Sequence, residues 1–528
     1  MSINGSAFLL FLVVFAAAYY IAPKKLQWIV LLIASVCFYL SYSVAAALYL
    51  LITVLLTFGF SLRLDQMNRT FERATEGLTR QEKREEKKKA SKRKKRVLAL
   101  ALILNFAALA VLKYSGFFVS NVNHAMAWIG AARQLPLPDF LLPLGISFYI
   151  FQTSGYLIDI YRGKYPPQRN LAKYALFVCY FPQMVQGPIN RYDELESALF
   201  HGTDFHYENI RDGVLRMIWG VLKKAMVADL LAAPVSLLYS SYGDYPGVLV
   251  FFGAFLYCIQ LYCDFSGGID VVCGASALFG VTMRENFLRP YFAHSLADFW
   301  RRWHISLGKW MEDYLFYPLA LSGTFAKLGK KARKTFRPDI AKRVSPCLAT
   351  VIVFLVVGIW QGPGWSNIAY GLWNGVWMSL GMLWVPARQS LYTRFGWDPK
   401  SVWLRVIGVL RTNLLVIIGR YFSNSASLRG ALGMLKQTVC HPGFHAVNAQ
   451  LLSGIGLTLS VVVRVSLALI VLFFVSYAQE RGVVVTQWLA KRKWPVQFAV
   501  LFVGLLLVVL FVYGNSDYVP IAYVYENV

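Results

Sequence analysis

The most informative stretch of this chain reads DFWRRWHISL at residues 298–307 and follows ENFLRPY at residues 285–291. It puts one titratable imidazole, that of His304, among tryptophans and arginines. Histidine has the ordinary side-chain pKa nearest to neutrality, so it suits proton transfer. His304 is therefore the first candidate for a chemical role, with a buried structural histidine as the alternative.

The spacing of bulky residues around this histidine predicts one helix over residues 296–314. Trp300, Trp303, His304 and Leu307 would then share a face. We expect an aromatic helix at the membrane interface that presents His304 inward.

Arginines surround the same segment. Arg301, Arg302 and the upstream Arg289 make it positive, which would suit a phosphate-rich donor such as a coenzyme A thioester arriving from the cytoplasm. Arginines that reach from an interfacial helix toward lipid headgroups would give the same pattern.

The composition indicates the class of protein. Of the 528 residues, 57% are hydrophobic and only 15% are charged, and apolar runs recur to the C-terminus. No alternating pattern of a membrane barrel is present. We therefore predict an all-α polytopic membrane protein with about 11 to 13 helical spans, some of them re-entrant or interfacial. Residues 1–528 are predicted to form a single membrane domain.

Basic residues predict the topology. The first apolar run, residues 8–21, has no basic residue ahead of it and two lysines after it, which indicates an anchor with its N-terminus outside the cell. A basic linker at residues 63–97, a basic loop at 323–345 and a cluster at 481–493 are expected in the cytoplasm, and the tail at 514–528 outside. These residues and anionic lipid account for the net charge of +26, so nucleic acid is not an expected partner.

Two carboxylates lie in an otherwise apolar segment at residues 261–280. Asp264 and Asp270 flank Ser266 and two glycines. A charge at the bilayer centre costs about 2.5 to 3.5 kcal/mol, so each carboxylate needs a partner or water. We expect these three polar residues to tie together broken helices, with direct chemistry as the alternative.

A second polar interruption follows the basic loop, where VVGIWQGPGW at residues 356–365 separates two apolar runs. Its glycines and proline predict a broken helix, which lipid tolerates only where the backbone lines protein or a water-filled cavity. Gln361 is therefore expected to face a tunnel. Asn374 lies in the next apolar run and is expected to be a further structural polar group.

Several motifs follow one another along the chain: PLGISFY at residues 143–149, FPQ at 181–183, QGPI at 186–189, the block 262–317 with RPY and WRRWHISL, and GIW and YG at 358–360 and 370–371. Together and in this order they resemble the membrane-bound O-acyltransferase family and specifically its bacterial alginate O-acetyltransferase branch. The similarity runs from about residue 1 to PIAY at residues 520–523.

The resemblance implies helices around a central funnel, through which an acyl group from a cytoplasmic thioester reaches an acceptor on the far side. For the exopolysaccharide branch it implies acetyl-CoA as donor substrate, no permanently bound cofactor, and an extracytoplasmic SGNH-type acyltransferase partner that completes transfer to a polysaccharide hydroxyl. In a related branch, an acyl-carrier protein delivers D-alanine for teichoic acid. Chain length and the motif at His304 favour the first branch, and His304 matches one of the family's two catalytic positions.

The second catalytic position departs from the family pattern. That pattern is Gly-Leu-Trp-His-Gly, whereas this chain has Gln361 in place of the histidine. An amide has no useful pKa near neutrality and cannot act as a general base. Three explanations stay open: an introduced inactivating substitution, a natural variant in which His304 alone moves the proton while Gln361 positions the acyl carbonyl or hydroxyl, and a homologue that binds partners without turnover.

Other classes gain less support. The sequence contains no P-loop, dinucleotide fingerprint, GxSxG or HExxH motif. The scattered cysteines have no zinc or disulfide spacing, and Cys440 with His441 and His445 lacks a fourth ligand, so we predict no metal site. The rival class is a transporter or a non-catalytic scaffold, favoured by the membrane carboxylates and by Gln361; an inverted repeat typical of transporters is not evident.

Overall fold

The computed structural model describes residues 5–76, 79–131, 134–140, 142–513 and 521–524. Within these ranges the secondary structure is helical, and the single β-type pairing is an antiparallel bridge between Phe287 and Trp303. The prediction of an all-α protein is confirmed. The predicted C-terminal tail lies outside the described residues, apart from residues 521–524.

Eight helices in the described ranges are long and apolar enough to cross a membrane, and Ser6–Ile21 is apolar but shorter. The eight are Lys24–Tyr42, Val44–Ala74, Lys89–Trp128, Gly247–Ala277, Pro338–Gln361, Val402–Asn424, Leu459–Glu480 and Trp494–Val512. The predicted number of about 11 to 13 also counted short, re-entrant and interfacial helices. The chain is a multi-pass membrane protein.

The chain falls into two compact units. The first is formed by the described residues up to 214 together with residues 272–284. Besides the spans before residue 129, its helices are Ile146–Arg162, Leu171–Cys179, Phe181–Gln186, Tyr192–Phe200 and the first part of Tyr207–Lys223. Its interior contains an aromatic cluster in which the ring of Tyr156 lies 4.9 Å from that of Tyr174 and 5.2 Å from that of Tyr192.

The described part of the predicted basic linker is mostly helical. Val44–Ala74 runs into its first part, and Arg80–Trp128 forms the rest. Thr79 and Glu82 form a capping box at the start of the second helix, in which the carboxylate of Glu82 accepts a hydrogen bond from the Thr79 backbone N–H at 3.0 Å. The basic loop at 323–345 likewise contains the helix Gly323–Thr335. Lysine, arginine and glutamate are good helix formers, which explains the helices.

The second unit spans residues 215–271 and 285–524 and contains every candidate site residue. Its remaining helices are the π-helix Lys224–Ala228, then Asp229–Ser240, Leu296–Arg302, Ile305–Met311, the π-helix Glu312–Phe316, Tyr317–Ala320, Gly323–Thr335, Trp365–Leu383, Val385–Phe395, Leu428–Cys440, Ala449–Gly454 and Val485–Ala490, with a last π-turn at Val509–Tyr513. Short 3₁₀ turns occur at Tyr242–Asp244, Pro290–Phe292 and Phe444–Ala446.

The predicted break after the basic loop is present. Pro338–Gln361 ends at Gln361, and Trp365–Leu383 begins three residues after Gly362. The two helices pack so closely that a Cβ atom on Gly358 would lie 2.4 Å from the carbonyl oxygen of Asn367. Only glycine allows this approach, which fixes Gln361 at the tip of a tight helical hairpin.

The prediction of one continuous helix over residues 296–314 is wrong. The helix ends at Arg302, Trp303 is extended, and His304 adopts a left-handed conformation with φ 48° before Ile305–Met311 begins. The Ile305 N–H donates to the Asn286 carbonyl at 3.0 Å, and the Leu288 N–H donates to the Arg302 carbonyl at 2.9 Å. These tertiary hydrogen bonds replace those of a continuous helix, which a helical periodicity does not reveal.

The prediction of broken helices around Asp264 and Asp270 is also wrong. Both residues lie in the uninterrupted helix Gly247–Ala277. Gly267 is required for close packing, because a Cβ there would lie 2.8 Å from the Gly220 carbonyl oxygen. The glycines therefore serve contact with a neighbouring helix, and the carboxylates find their partners on that same neighbour.

Candidate active site

His304 lies at the centre of the candidate site. It is one of two non-glycine residues with positive φ in the described ranges, the other being Arg289, and its side chain is buried with 1% exposure. Its ring packs edge-on against Phe265 at 4.9 Å and lies 5.7 Å from the ring of Trp360. A left-handed conformation costs a non-glycine residue about 1 kcal/mol or more, and such outliers cluster at functional sites. The predicted inward orientation of His304 is present.

The side chain of Asn286 organises this turn. Its Oδ1 accepts hydrogen bonds from the Ser306 backbone N–H and hydroxyl, both at 3.0 Å, and lies 3.3 Å from Nδ1 of His304. A backbone N–H only donates, so the amide atom that faces it is the oxygen. Nδ1 of His304 faces the same oxygen and therefore carries the proton. Nε2 is then the nitrogen with the lone pair that accepts a proton.

Burial controls the protonation of His304, which lies outside the eight candidate spans. It lowers the pKa of the imidazole from 6.5 to about 3, because the aromatic surroundings do not solvate the imidazolium ion. His304 is therefore neutral near pH 7, the form that can accept a proton.

Asn286→Asp is expected to raise the pKa of His304, because a carboxylate would replace the neutral amide oxygen that faces Nδ1. In the unaltered chain the folded-state pKa lies below the unfolded value, so stability falls as the pH drops from about 6.5 toward 3. This acid loss should amount to about 2.5 kcal/mol at pH 4.5 and should shrink in Asn286→Asp.

The measurement is thermal unfolding of the purified chain between pH 7 and pH 4.5. His304→Gln, which cannot titrate, provides the reference slope. An acid sensitivity that is the same in Asn286→Asp and in the unaltered chain would contradict the assigned contact.

Gln361 is related to His304 through its neighbour in the chain, Trp360. The Trp360 ring packs against the imidazole, and Gln361 follows it as the last residue of Pro338–Gln361. Gln361 is half-buried. The structure thus places Gln361 one residue along the chain from a ring that packs against His304.

The three predicted donor-binding arginines have different surroundings. Arg289 and Arg302 meet on the carboxylate of Glu480, at 2.6 Å from Nε and 3.0 Å from Nη1 respectively. Arg302 also lies 3.2 Å from Asp298. Arg301 is 69% exposed and contacts Asp298 at 3.4 Å. Glu480 thus joins two of the three arginines. Sequence reasoning did not identify this residue, because only its place at the end of an apolar run sets it apart.

The predicted structural polar residues form a buried ion cluster. Lys224 binds Asp264 at 2.6 Å and Asp229 at 2.8 Å. Lys223 binds Asp270 at 2.6 Å and donates to the Ser266 hydroxyl at 2.8 Å. The cluster continues through Arg216, whose guanidinium contacts Asp270 at 3.0 Å and binds Glu285 through two nitrogens at 2.7 Å. The two adjacent lysines are the partners that these carboxylates were expected to need. Two lysines inside an apolar run are a signal that the sequence already contained.

Lys224→Met is expected to lower stability by about 3 kcal/mol, because it leaves two buried carboxylates without their shared cation. The measurement is the apparent melting temperature of the purified protein. Lys309→Met is the matched control, since Lys309 and Glu312 form an exposed pair at 2.9 Å whose loss should cost less than about 1 kcal/mol. Equal losses in the two variants would contradict a buried cluster.

Asn374 connects the site to the helical hairpin. Its Oδ1 accepts from the Trp300 indole at 3.2 Å, and its Nδ2 donates to the Tyr370 carbonyl at 2.8 Å. Arg420 packs nearby, with its guanidinium 5.0 Å from the Trp303 ring centroid and 5.7 Å from that of Tyr370. Asn374 is thus a structural polar group, and Arg420, which sequence reasoning missed, supports the segment that carries His304.

Comparisons with known proteins give the family of this chain. A model of the membrane-bound O-acyltransferase family matches residues 140–336. The chain is 31% identical to the "Probable alginate O-acetylase" of Pseudomonas syringae pv. tomato over 82% of its own length and 74% of the relative. It is 27% identical to the peptidoglycan O-acetyltransferase of Helicobacter pylori, covering 66% and 67% of the two chains. It is 24% identical to the teichoic acid D-alanyltransferase of Bacillus subtilis, covering 62% and 84%.

A polytopic helical chain with a buried histidine and this set of relatives is a membrane acyltransferase by class. The chain belongs to the membrane-bound O-acyltransferase family, and within it resembles the alginate O-acetylases.

Proposed function

We propose that this protein moves an acyl group, specifically acetyl, from a cytoplasmic thioester across the membrane for O-acylation of an exported or cell-surface polysaccharide. The observation that carries the proposal is His304, buried in a strained turn, with a defined tautomer and beside the hairpin tip that bears Gln361. The alginate and peptidoglycan O-acetyltransferases among the relatives support acetyl transfer.

The proposed reaction is direct transfer. Nε2 of His304 takes the proton of an acceptor hydroxyl, and the oxygen attacks the thioester carbonyl carbon. The new C–O bond gives a tetrahedral intermediate whose former carbonyl oxygen carries the negative charge; this intermediate collapses as the C–S bond breaks, the thiolate leaves, and the proton on His304 passes to sulfur. Hydrogen-bond donors near the carbonyl oxygen steady the intermediate oxyanion.

Gln361 has a specific part in this scheme. Its amide can donate a hydrogen bond to the acyl carbonyl or accept one from the acceptor hydroxyl, and it takes no proton. This positioning role, an introduced inactivating substitution and a partner-binding scaffold without turnover are three explanations for the amide at this position. Comparison of this chain with Gln361→His in the assay below separates them.

The donor side of the proposal rests on Arg289, Arg301 and Arg302. Guanidinium groups bind phosphate through paired hydrogen bonds, which suits acetyl-CoA as donor substrate, with no permanently bound cofactor. The second candidate donor is an aminoacyl group on a carrier protein for teichoic acid, which the D-alanyltransferase relative favours.

The proposed setting is the cell membrane, with the N-terminus outside and the basic segments in the cytoplasm in contact with anionic lipid. The product would pass to an extracytoplasmic SGNH-type acyltransferase partner and then to the polysaccharide acceptor. The central funnel implied by the family resemblance stays a prediction.

The test uses membranes that carry this chain beside matched membranes that lack it. Radiolabelled acetyl-CoA is supplied, with alginate as the probe acceptor, and free coenzyme A and labelled polymer are measured. We expect both products to depend on the chain. Labelling from a D-alanyl carrier thioester alone would select the second donor, and no thioester turnover from either donor in this chain and in Gln361→His would favour the scaffold.

A further inference from the structure

Glu480 occupies the position between two arginines that an anionic ligand would take. Its carboxylate contacts Nε of Arg289 at 2.6 Å and Nη1 of Arg302 at 3.0 Å. The three side chains are 31%, 22% and 20% exposed, so the group is reachable from solvent. Arg289 contacts the carboxylate through Nε alone, which leaves its two terminal amino groups without an acceptor among the described residues. A phosphate would satisfy this fork of donors better than one carboxylate does.

The helix that carries Glu480 holds this carboxylate weakly. Glu480 is the last residue of Leu459–Glu480, and a negative charge at a helix C-terminus is unfavourable by about 0.3 to 1 kcal/mol because it faces the negative end of the helix dipole. The following residue, Arg481, stacks on Tyr477 at 4.7 Å. The Glu480 carboxylate is therefore kept in place chiefly by Arg289 and Arg302. Another anion that binds these arginines can replace it as their partner.

The same arginines belong to the segments that shape the turn at His304. Leu288 and Arg302 are joined by one hydrogen bond of the antiparallel bridge, and Asn286 and Ile305 by the next. Arg289, with φ 50°, and His304, with φ 48°, stand at opposite ends of this bridge. When Arg289 and Arg302 bind a different anion, the change is therefore transmitted to the backbone that positions the His304 imidazole.

We propose that Glu480 is the resident counter-ion of a phosphate-binding site formed by Arg289 and Arg302, and that a phosphate group of the thioester donor displaces it. The inference rests on the proposed thioester donor, because both coenzyme A and a carrier-bound phosphopantetheine arm present phosphate. Glu480 keeps the arginines paired while the site is empty and swings aside when donor binds.

The test is binding of coenzyme A to the purified chain in phosphatidylcholine nanodiscs, without turnover. Glu480→Gln removes the competing charge and should tighten binding about three- to ten-fold, because the competent state no longer has to displace an ion pair. Pantetheine, which lacks phosphate, should bind the two proteins equally. Arg289→Gln in the Glu480→Gln background should cancel the gain.

Glu312→Gln is the matched control, because Glu312 pairs with Lys309 at similar exposure, and it should leave coenzyme A binding unchanged. Thermal unfolding checks that Glu480→Gln is folded, and Glu480→Asp, with its shorter reach, should change binding in the same direction to a smaller extent. Weaker or unchanged binding of coenzyme A in folded Glu480 variants would overturn the proposal and assign Glu480 a purely structural role.

Two further arms separate this inference from the proposed function. Inorganic pyrophosphate that binds Glu480→Gln more tightly, with no binding of coenzyme A, would support the phosphate site but reject this donor. Nanodiscs that contain phosphatidylglycerol test whether a lipid phosphate binds the two arginines. If the tighter binding of coenzyme A by Glu480→Gln disappears in these nanodiscs, the lipid phosphate occupies the site, and the proposal that the donor displaces Glu480 is overturned.

Discussion

Replacing His304 by alanine is expected to lower the rate of acyl transfer by about 10²- to 10⁴-fold, the usual contribution of a positioned general base. The loss should appear in kcat more than in KM, because the imidazole acts on the proton that moves in the transition state and the donor arginines are unchanged. The measurement is release of coenzyme A and labelling of polymer from radiolabelled acetyl-CoA, in the unaltered chain and in Gln361→His.

His445→Ala provides the control for this experiment. His445 is exposed in the short turn Phe444–Ala446, so its loss should leave transfer unchanged. The fold of His304→Ala is checked by its melting temperature. Full activity of folded His304→Ala in both backgrounds would remove His304 from the reaction.

Gln361→His is expected to raise acyl transfer by about 10²-fold or more, because it supplies a second titratable group at the position where the family pattern has histidine. The hairpin tip that carries residue 361 is fixed by the contact of Gly358 with Asn367, and Trp360 packs on His304, so a new imidazole would enter a preformed neighbourhood. The same radiolabelled assay measures the gain.

Gln361→Asn is the matched variant, since it keeps an amide and changes only its reach. A gain with histidine that asparagine does not give would identify an acetyltransferase whose base is missing in this chain. Equal activity of the unaltered chain and Gln361→His would instead support the natural variant in which His304 acts alone. Absence of turnover in all variants would favour the scaffold.

The ion cluster illustrates which part of the site the sequence could predict. Asp264 and Asp270 stand out in an apolar run because charge in a membrane is costly, and the need for partners follows directly. The identity of those partners does not, because Lys223 and Lys224 are about 40 residues away in the chain and become neighbours only when two helices meet at Gly220 and Gly267. The same holds for Glu480, which lies 191 residues from Arg289.

By itself the sequence determined the class of this protein: recurrent apolar runs exclude a soluble fold, and the ordered motifs identify the family and single out His304. The hairpin break before Trp365 also followed from local chemistry, because glycine and proline interrupt helices wherever they cluster. Tertiary structure alone decided that the helix ends before Trp303, that Asn286 fixes the tautomer of His304, and that Trp360, which precedes Gln361, packs against His304. The reason is physical: periodicity reports which face of a segment is apolar, whereas the left-handed turn at His304 exists only because hydrogen bonds from residues 286–288 compete successfully with those of a continuous helix.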